Sequence, residues 1–164
     1  MYYNNRQILG GFTLLEGLSG PKFGGLITEI VTDKSISNSK KAEELFSLVH
    51  LAKERNPDLL GHKGVSVAIY QLGRLAKDHA ARGEIIKNEY SKELLGLASV
   101  LASEGQLYEQ EISNIIYGLA LIYRGSKTAG KENVELLNNL FKIVKDKIQD
   151  FSPQSIANTT WAFA

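Results

Sequence analysis

The stretch Phe151 to Ala164, FSPQSIANTTWAFA, decides the fold, because its order of residue types occurs twice earlier in the chain. Val65 to Gly73 (VSVAIYQLG) and Ile112 to Ala120 (ISNIIYGLA) run alongside Ile156 to Ala164 (IANTTWAFA). Each opens on an aliphatic residue, continues with a small one, places an aromatic five positions after the start and closes on small or apolar side chains. The aromatics Tyr70, Tyr117 and Trp161 are separated by 47 and 44 residues. A second marker, Glu-Leu followed by an apolar residue, recurs at Glu44, Glu93 and Glu135, with separations of 49 and 42. The two series interleave in register. A period of this length denotes a solenoid or a propeller, and helical patterning within each unit selects stacked helix pairs.

Each unit therefore reads as two amphipathic helices, A and B. At 100° per residue, Ile112, Ile115, Ile116, Leu119 and Ile122 share one arc, which is the pattern of a packed helix. Ser113, Asn114, Tyr117, Gly118 and Leu121 occupy the other arc. In the following B segment, Val134, Leu137, Leu140, Phe141, Val144 and Ile148 recur at three- and four-residue intervals, with Lys142, Lys145 and Lys147 outside. Glycines 61 and 64, 83, 105, 125 and 130 punctuate the pattern, and Ser152-Pro153 supplies an N-cap and a first-turn proline. Strands find no support.

The expected fold is all-α, an α-solenoid of stacked helix pairs with about three units, the last incomplete. A helices fall near 64–78, 109–123 and 153–164; B helices fall near 40–55, 91–103 and 132–148. Residues 37–164 form this array. Residues 1–36, which carry six of the fifteen glycines, read as a degenerate helical unit or an N-terminal cap. Because residues 151–164 align with only the first half of a unit, the chain reads as a fragment of a longer array. Its last A helix is expected to pack on the preceding pair and leave an apolar end exposed.

Composition narrows the function. With 19 Lys plus Arg against 18 Asp plus Glu, the net charge is +1, so any nucleic-acid footprint has to be local. There is no Cys, hence no disulfide framework and no thiolate chemistry, which favours an intracellular compartment. No apolar run approaches the ~20 residues of a membrane span, and the first thirty residues resemble neither a secretory signal nor a transit peptide. His50, His62 and His79 lack metal-ligand spacing, and Gly20-Pro21-Lys22 is not continued as a phosphate-binding loop. Glu109 with Glu111, and Glu43 with Glu44, read as first-turn acids at helix N-termini. No catalytic constellation, metal site or cofactor signature emerges, and the chain reads as a non-enzyme.

The candidate site is a row of aromatics. Tyr70, Tyr117 and Trp161 lie off the main apolar arc, one per unit, so stacking the units aligns them. Such a row stacks bases at ~1–3 kcal/mol per contact, or it fills the gaps between successive A helices. Hydrogen-bonding side chains surround it: Ser66, Gln71 and Arg74 in the first unit, Ser113 and Asn114 in the second, Asn158 in the third. These groups suit the edges of unpaired bases. Arg74 shares the Tyr70 face and is the cation best placed for a ligand. Lys142, Lys145 and Lys147, with Lys127 and Lys131, form a second positive surface diluted by Glu135, Asp146 and Asp150.

Ser152, Pro153, Ile156, Ala157, Asn158, Trp161 and Ala162 to Ala164 resemble, in that order, the first helix of the octotricopeptide-type repeats that accompany RAP domains in organellar RNA-processing proteins. The resemblance extends over roughly residues 37–164, with Asn114 and Tyr117, then Val67 and Tyr70, at the corresponding positions of the earlier units. Only the last unit has the proline. Spacings of 42–49 exceed the repeat length that the family name denotes, which implies insertions in the loops. The resemblance implies a helical-repeat protein that binds single-stranded RNA through helix A faces, in RNA processing, stability or translation, within a mitochondrion or plastid. These residues contain no RAP domain, so the resemblance implies no activity of that domain. The alternative from composition is a protein- or peptide-binding scaffold of armadillo or HEAT type, favoured by the near-zero charge.

Overall fold

In a computed structural model of the chain, residues 18–125 and 133–163 are described, Phe163 by its backbone alone. Eight α-helices and two short 3-10 turns make up the described fold, with no strand among those residues. The helices are α1 (Gly20–Thr32), α2 (Asn38–Arg55), α3 (His62–Leu75), α4 (His79–Lys87), α5 (Glu89–Ser103), α6 (Glu109–Ile122), α7 (Val134–Lys147) and α8 (Pro153–Phe163). The 3-10 turns are Pro57–Leu60 and Ile148–Asp150.

Two rows of helices form an α-solenoid. One row is α1, α3, α6 and α8, the A helices; α2, α5 and α7 form the B row behind it. The most extensive packing is between α3 and α6, followed by α6 with α8 and α1 with α3. Neighbouring A helices are parallel: His62 meets Tyr108 near the start of α3 and α6, and Gly73 meets Gly118 near their ends. A continuous apolar core runs from Phe23 and Ile27 through Leu45, Ile69, Leu72, Leu94, Ile112 and Ile115 to Leu140. Fully burying one such aliphatic side chain stabilises by ~1.5–3 kcal/mol.

Local chemistry sets the helix ends. The Ser37 hydroxyl accepts from the Lys40 amide to start α2, so Glu43 and Glu44 lie beyond the first turn. Glu43 instead pairs with Lys40 at 2.8 Å. The first-turn reading does hold at α6, where the Glu111 carboxylate accepts from the Tyr108 amide at 2.8 Å. Helix α3 stops at Leu75, short of residue 78, because the Asp78 side chain accepts from the Ala81 amide and opens α4. This nine-residue helix occupies the long A-to-B connection of its unit. Gly83 lies inside it, not at a break. Gly105 and Gly125, at φ 70° and 78°, do terminate helices. At Gly105 the amides of Gly105 and Gln106 return to the carbonyls of Ala102 and Leu101, a Schellman closure. Gly130 lies outside the described residues.

Three features depart from the sequence pattern. Residues 20–32 take an A-helix position against α3, and α1 also packs on α2, so residues 36 and 37 fall between two helices of one pair. In α6 the second arc is largely buried too, Ser113, Gly118 and Leu121 included, because this helix is contacted by α3, α7 and α8. In α7 the buried line is Leu136, Leu140 and Val144, whereas Val134, Phe141 and Ile148 face outward. Leu140 and Val144 belong to the expected stripe and Leu137 is partly buried beside them; the positions of α5 and α6 add Leu136 and leave the other three outside.

Candidate nucleic-acid interface

The outward faces of α3, α6 and α8 form one surface in register. Ser152 caps α8, its hydroxyl accepting from the Ser155 amide at 3.1 Å, and Pro153 begins the first turn. Ser155 and Thr159 are then buried, while Asn158 is half-buried and Trp161 is exposed. On α6 the same positions hold Asn114 and Tyr117; on α3 they hold Val67 and Tyr70, all half-buried.

The aromatic row forms as the spacing predicts. Tyr70 and Tyr117 have ring centroids 5.8 Å apart and planes inclined at 32°; Tyr117 and Trp161 are 5.1 Å apart and inclined at 46°. These separations suit attractive ring contacts. The rings bridge the gaps between successive A helices and keep an outer side towards solvent. Trp161 is 46% exposed at the end of the described row, and Ile156, earlier on the same helix, is 39% exposed. Thus α8 packs on α6 and leaves an apolar margin uncovered.

One helical turn towards the N-termini lies a row of amides. The Gln110 side-chain amide donates to the Asn114 carbonyl oxygen at 3.0 Å, and Gln154 donates to Asn158 at the same distance. The two pairs occupy equivalent positions 44 residues apart. Each bond orients an Asn amide while leaving its nitrogen free of that bond, a pre-arranged donor beside an aromatic ring. Lys63 takes the corresponding place on α3.

The remaining expected site residues separate into two groups. Arg74 is exposed on the Tyr70 face, and one of its guanidinium nitrogens donates to Gln71 Oε1 at 3.2 Å. Gln71 itself is buried, so it positions Arg74 and does not read a ligand. Ser66 and Ser113 are corrected in the same way. The Ser66 hydroxyl donates to the Lys63 carbonyl within α3, and Ser113 donates to the Ser155 carbonyl between α6 and α8. At 1% and 0% exposure both are packing residues, because a close helix-to-helix contact requires small side chains there. Lys142, Lys145 and Lys147 are exposed on α7, in the B row. Lys127 and Lys131 lie outside the described residues.

Gln110 and Gln154 were not singled out by composition or periodicity, although their matched Gln-x-x-x-Asn spacing is present in both units. Three further cations lie near the C-terminal ends of α3 and α6. Lys77 and Arg124 are exposed, each seven residues beyond the aromatic of its own unit. Arg82 donates from Nε to the Ala76 carbonyl at 2.8 Å and from a terminal nitrogen to the Arg124 carbonyl at 3.4 Å, joining the ends of α3 and α6.

Among the described residues no group of three or more His, Asp or Glu side chains could hold a metal ion. No helix among them is long and apolar enough to cross a membrane. No family model, curated protein or solved structure matches the chain.

Proposed function

We propose that this chain binds single-stranded RNA across the faces of α3, α6 and α8, as a non-catalytic helical-repeat module of RNA processing, stability or translation. The observation that carries the reading is the register of two rows: the rings of Tyr70, Tyr117 and Trp161, and beside them the amides of Asn114 and Asn158, each held by a Gln four residues earlier. Rings provide sequence-tolerant stacking at ~1–3 kcal/mol per base, and amides complement the donors and acceptors of unpaired base edges. Arg74 adds a cation on the same face. The octotricopeptide-type resemblance of residues 151–164 points the same way and would place the RNA in a mitochondrion or plastid.

A second reading, a peptide-binding scaffold, draws on the apolar margin at Ile156 and Trp161. The two are separated by titrating the chain with unstructured, randomised RNA at low salt. Trp161 is the one tryptophan, so its emission reports occupancy of the row directly. Quenching by RNA, with affinity falling as salt rises and falling in an Arg74→Ala, Tyr117→Ala double variant, supports RNA binding. No binding at low salt, or equal affinity in the folded double variant, refutes it and leaves the scaffold reading.

A further inference from the structure

The face that carries the aromatics is chemically polarised along its helices. At the N-terminal side lie Lys63 and the Gln–Asn pairs; at the C-terminal side lie Arg74, Lys77, Arg82 and Arg124. Lys77 and Arg124 are 47 residues apart, the same separation as Tyr70 and Tyr117, so they are equivalent positions of two units. Arg82 fastens the two helix ends to one another through the Ala76 and Arg124 carbonyls. Asp78, next to Lys77, is engaged in capping α4, and Glu84 is exposed two residues from Arg82. Cations at this end also complement the negative poles of α3 and α6.

Tyr70 to Leu75 and Tyr117 to Ile122 are five helical steps, ~7.5 Å, and Lys77 and Arg124 follow in the turn beyond each helix end, so the cationic edge lies past the aromatic row at the C-terminal ends of α3 and α6. A nucleotide stacked on the row extends its phosphate to one side, within reach of a Lys or Arg side chain. On the other side the base edge faces the amides. The reverse orientation would put phosphates against two neutral Gln–Asn pairs and one lysine.

Resting on the RNA reading above, we propose that the C-terminal edge of the A face, Arg74, Lys77, Arg82 and Arg124, is a phosphodiester rail. A single RNA strand crosses α3 and α6 with its phosphates on this edge and its bases turned towards Asn114 and Asn158. The Lys142, Lys145 and Lys147 cluster on the B row lies outside the strand's path.

The test is a salt titration of affinity for fluorescently labelled, unstructured RNA homopolymers. It compares the wild type, a Lys77→Gln, Arg124→Gln double variant and a Lys142→Gln, Lys145→Gln, Lys147→Gln triple variant. Each cation that neutralises a phosphate of a single strand contributes ~0.7 to the slope of log affinity against log salt, so the double variant is expected to have a slope shallower by about 1.4. The change is the same on every homopolymer, and the triple variant retains the wild-type slope. Tyr117→Ala weakens binding at every salt concentration without changing the slope. A double variant that keeps the wild-type slope overturns the rail while RNA binding stands, as does a triple variant that alone reduces it. A wild type that binds no RNA overturns both. All five substituted cations are exposed, and a melting curve for each variant confirms that the fold is intact.

Discussion

Gly73 of α3 and Gly118 of α6 meet backbone to backbone: a β-carbon on Gly73 would lie 2.6 Å from the Gly118 Cα. A β-carbon on Gly118 would in turn lie 2.5 Å from the Ile69 carbonyl oxygen. The two helices can approach this closely only without side chains at the crossing, and the approach brings Tyr70 and Tyr117 into ring contact.

Gly118→Ala is therefore expected to destabilise by about 1–3 kcal/mol, the usual cost of overpacking a well-filled interface. Gly96→Ala is the control. Gly96 is exposed within α5 with nothing near its missing β-carbon, so alanine there should stabilise by about 0.5–1 kcal/mol through helix propensity. Urea unfolding monitored by circular dichroism measures both. Equal effects of the two substitutions would contradict the close crossing.

Tyr117 is the middle ring and contacts both neighbours, whereas Tyr70 and Trp161 terminate the described row. At about 0.5–1.5 kcal/mol per ring pair, Tyr117→Leu is expected to forfeit two such contributions and Tyr70→Leu one. Trp161 emission should shift in Tyr117→Leu and remain unchanged in Tyr70→Leu, since only Tyr117 touches the indole among these two. An unchanged spectrum in Tyr117→Leu would show that the rings do not meet in solution.

The turn after α5 depends on Gly105 at φ 70°. Alanine there must adopt the left-handed conformation that an L side chain resists, at a cost of about 1–2 kcal/mol. Ser152→Ala, which removes the cap of α8, should cost about 1 kcal/mol. The two can be told apart by hydrogen exchange. Loss of the Ser152 cap should speed exchange chiefly in α8, the last described helix, while Gly105→Ala acts on the centre of the described array.

Two carboxyls on either side of the α1–α2 turn give opposite pH responses. Burial pushes the Glu44 carboxyl above the usual range, a tendency that attraction to Lys40 partly offsets. Its charged form is thus penalised in the folded state, and stability falls as pH rises through the raised pKa. Glu44→Gln is expected to melt with the wild type at about pH 4 and above it at about pH 7. Asp33 is lowered, first by the Ser35 hydroxyl at 2.6 Å and then by the Ser35 amide at 2.8 Å. It contributes stability above its unfolded pKa that is lost on acidification, so Asp33→Asn should destabilise at neutral pH, with the difference closing in acid. Parallel profiles for the two variants would contradict these environments.

Helical class, the repetition of units and the common row of Tyr70, Tyr117 and Trp161 are all legible in the order of residues. Those properties are periodic, and periodicity survives in one dimension: a 3.6-residue pattern marks a helix and equal spacing marks equivalent positions. What each position faces depends on how the two rows pack. Ser66, Gln71 and Ser113 are polar in sequence yet buried, because a hydroxyl or amide is easily satisfied by a carbonyl or side chain within the packed rows. In α7, the expected stripe splits: contact with α5 and α6 buries its Leu140 and Val144 together with Leu136, while Val134, Phe141 and Ile148 face outward. The cationic edge has the same origin. Arg124 is 42 residues from Arg82 in sequence, and the fold brings the segment of Lys77 and Arg82 beside it, where Arg82 bonds to the Ala76 and Arg124 carbonyls at the ends of α3 and α6.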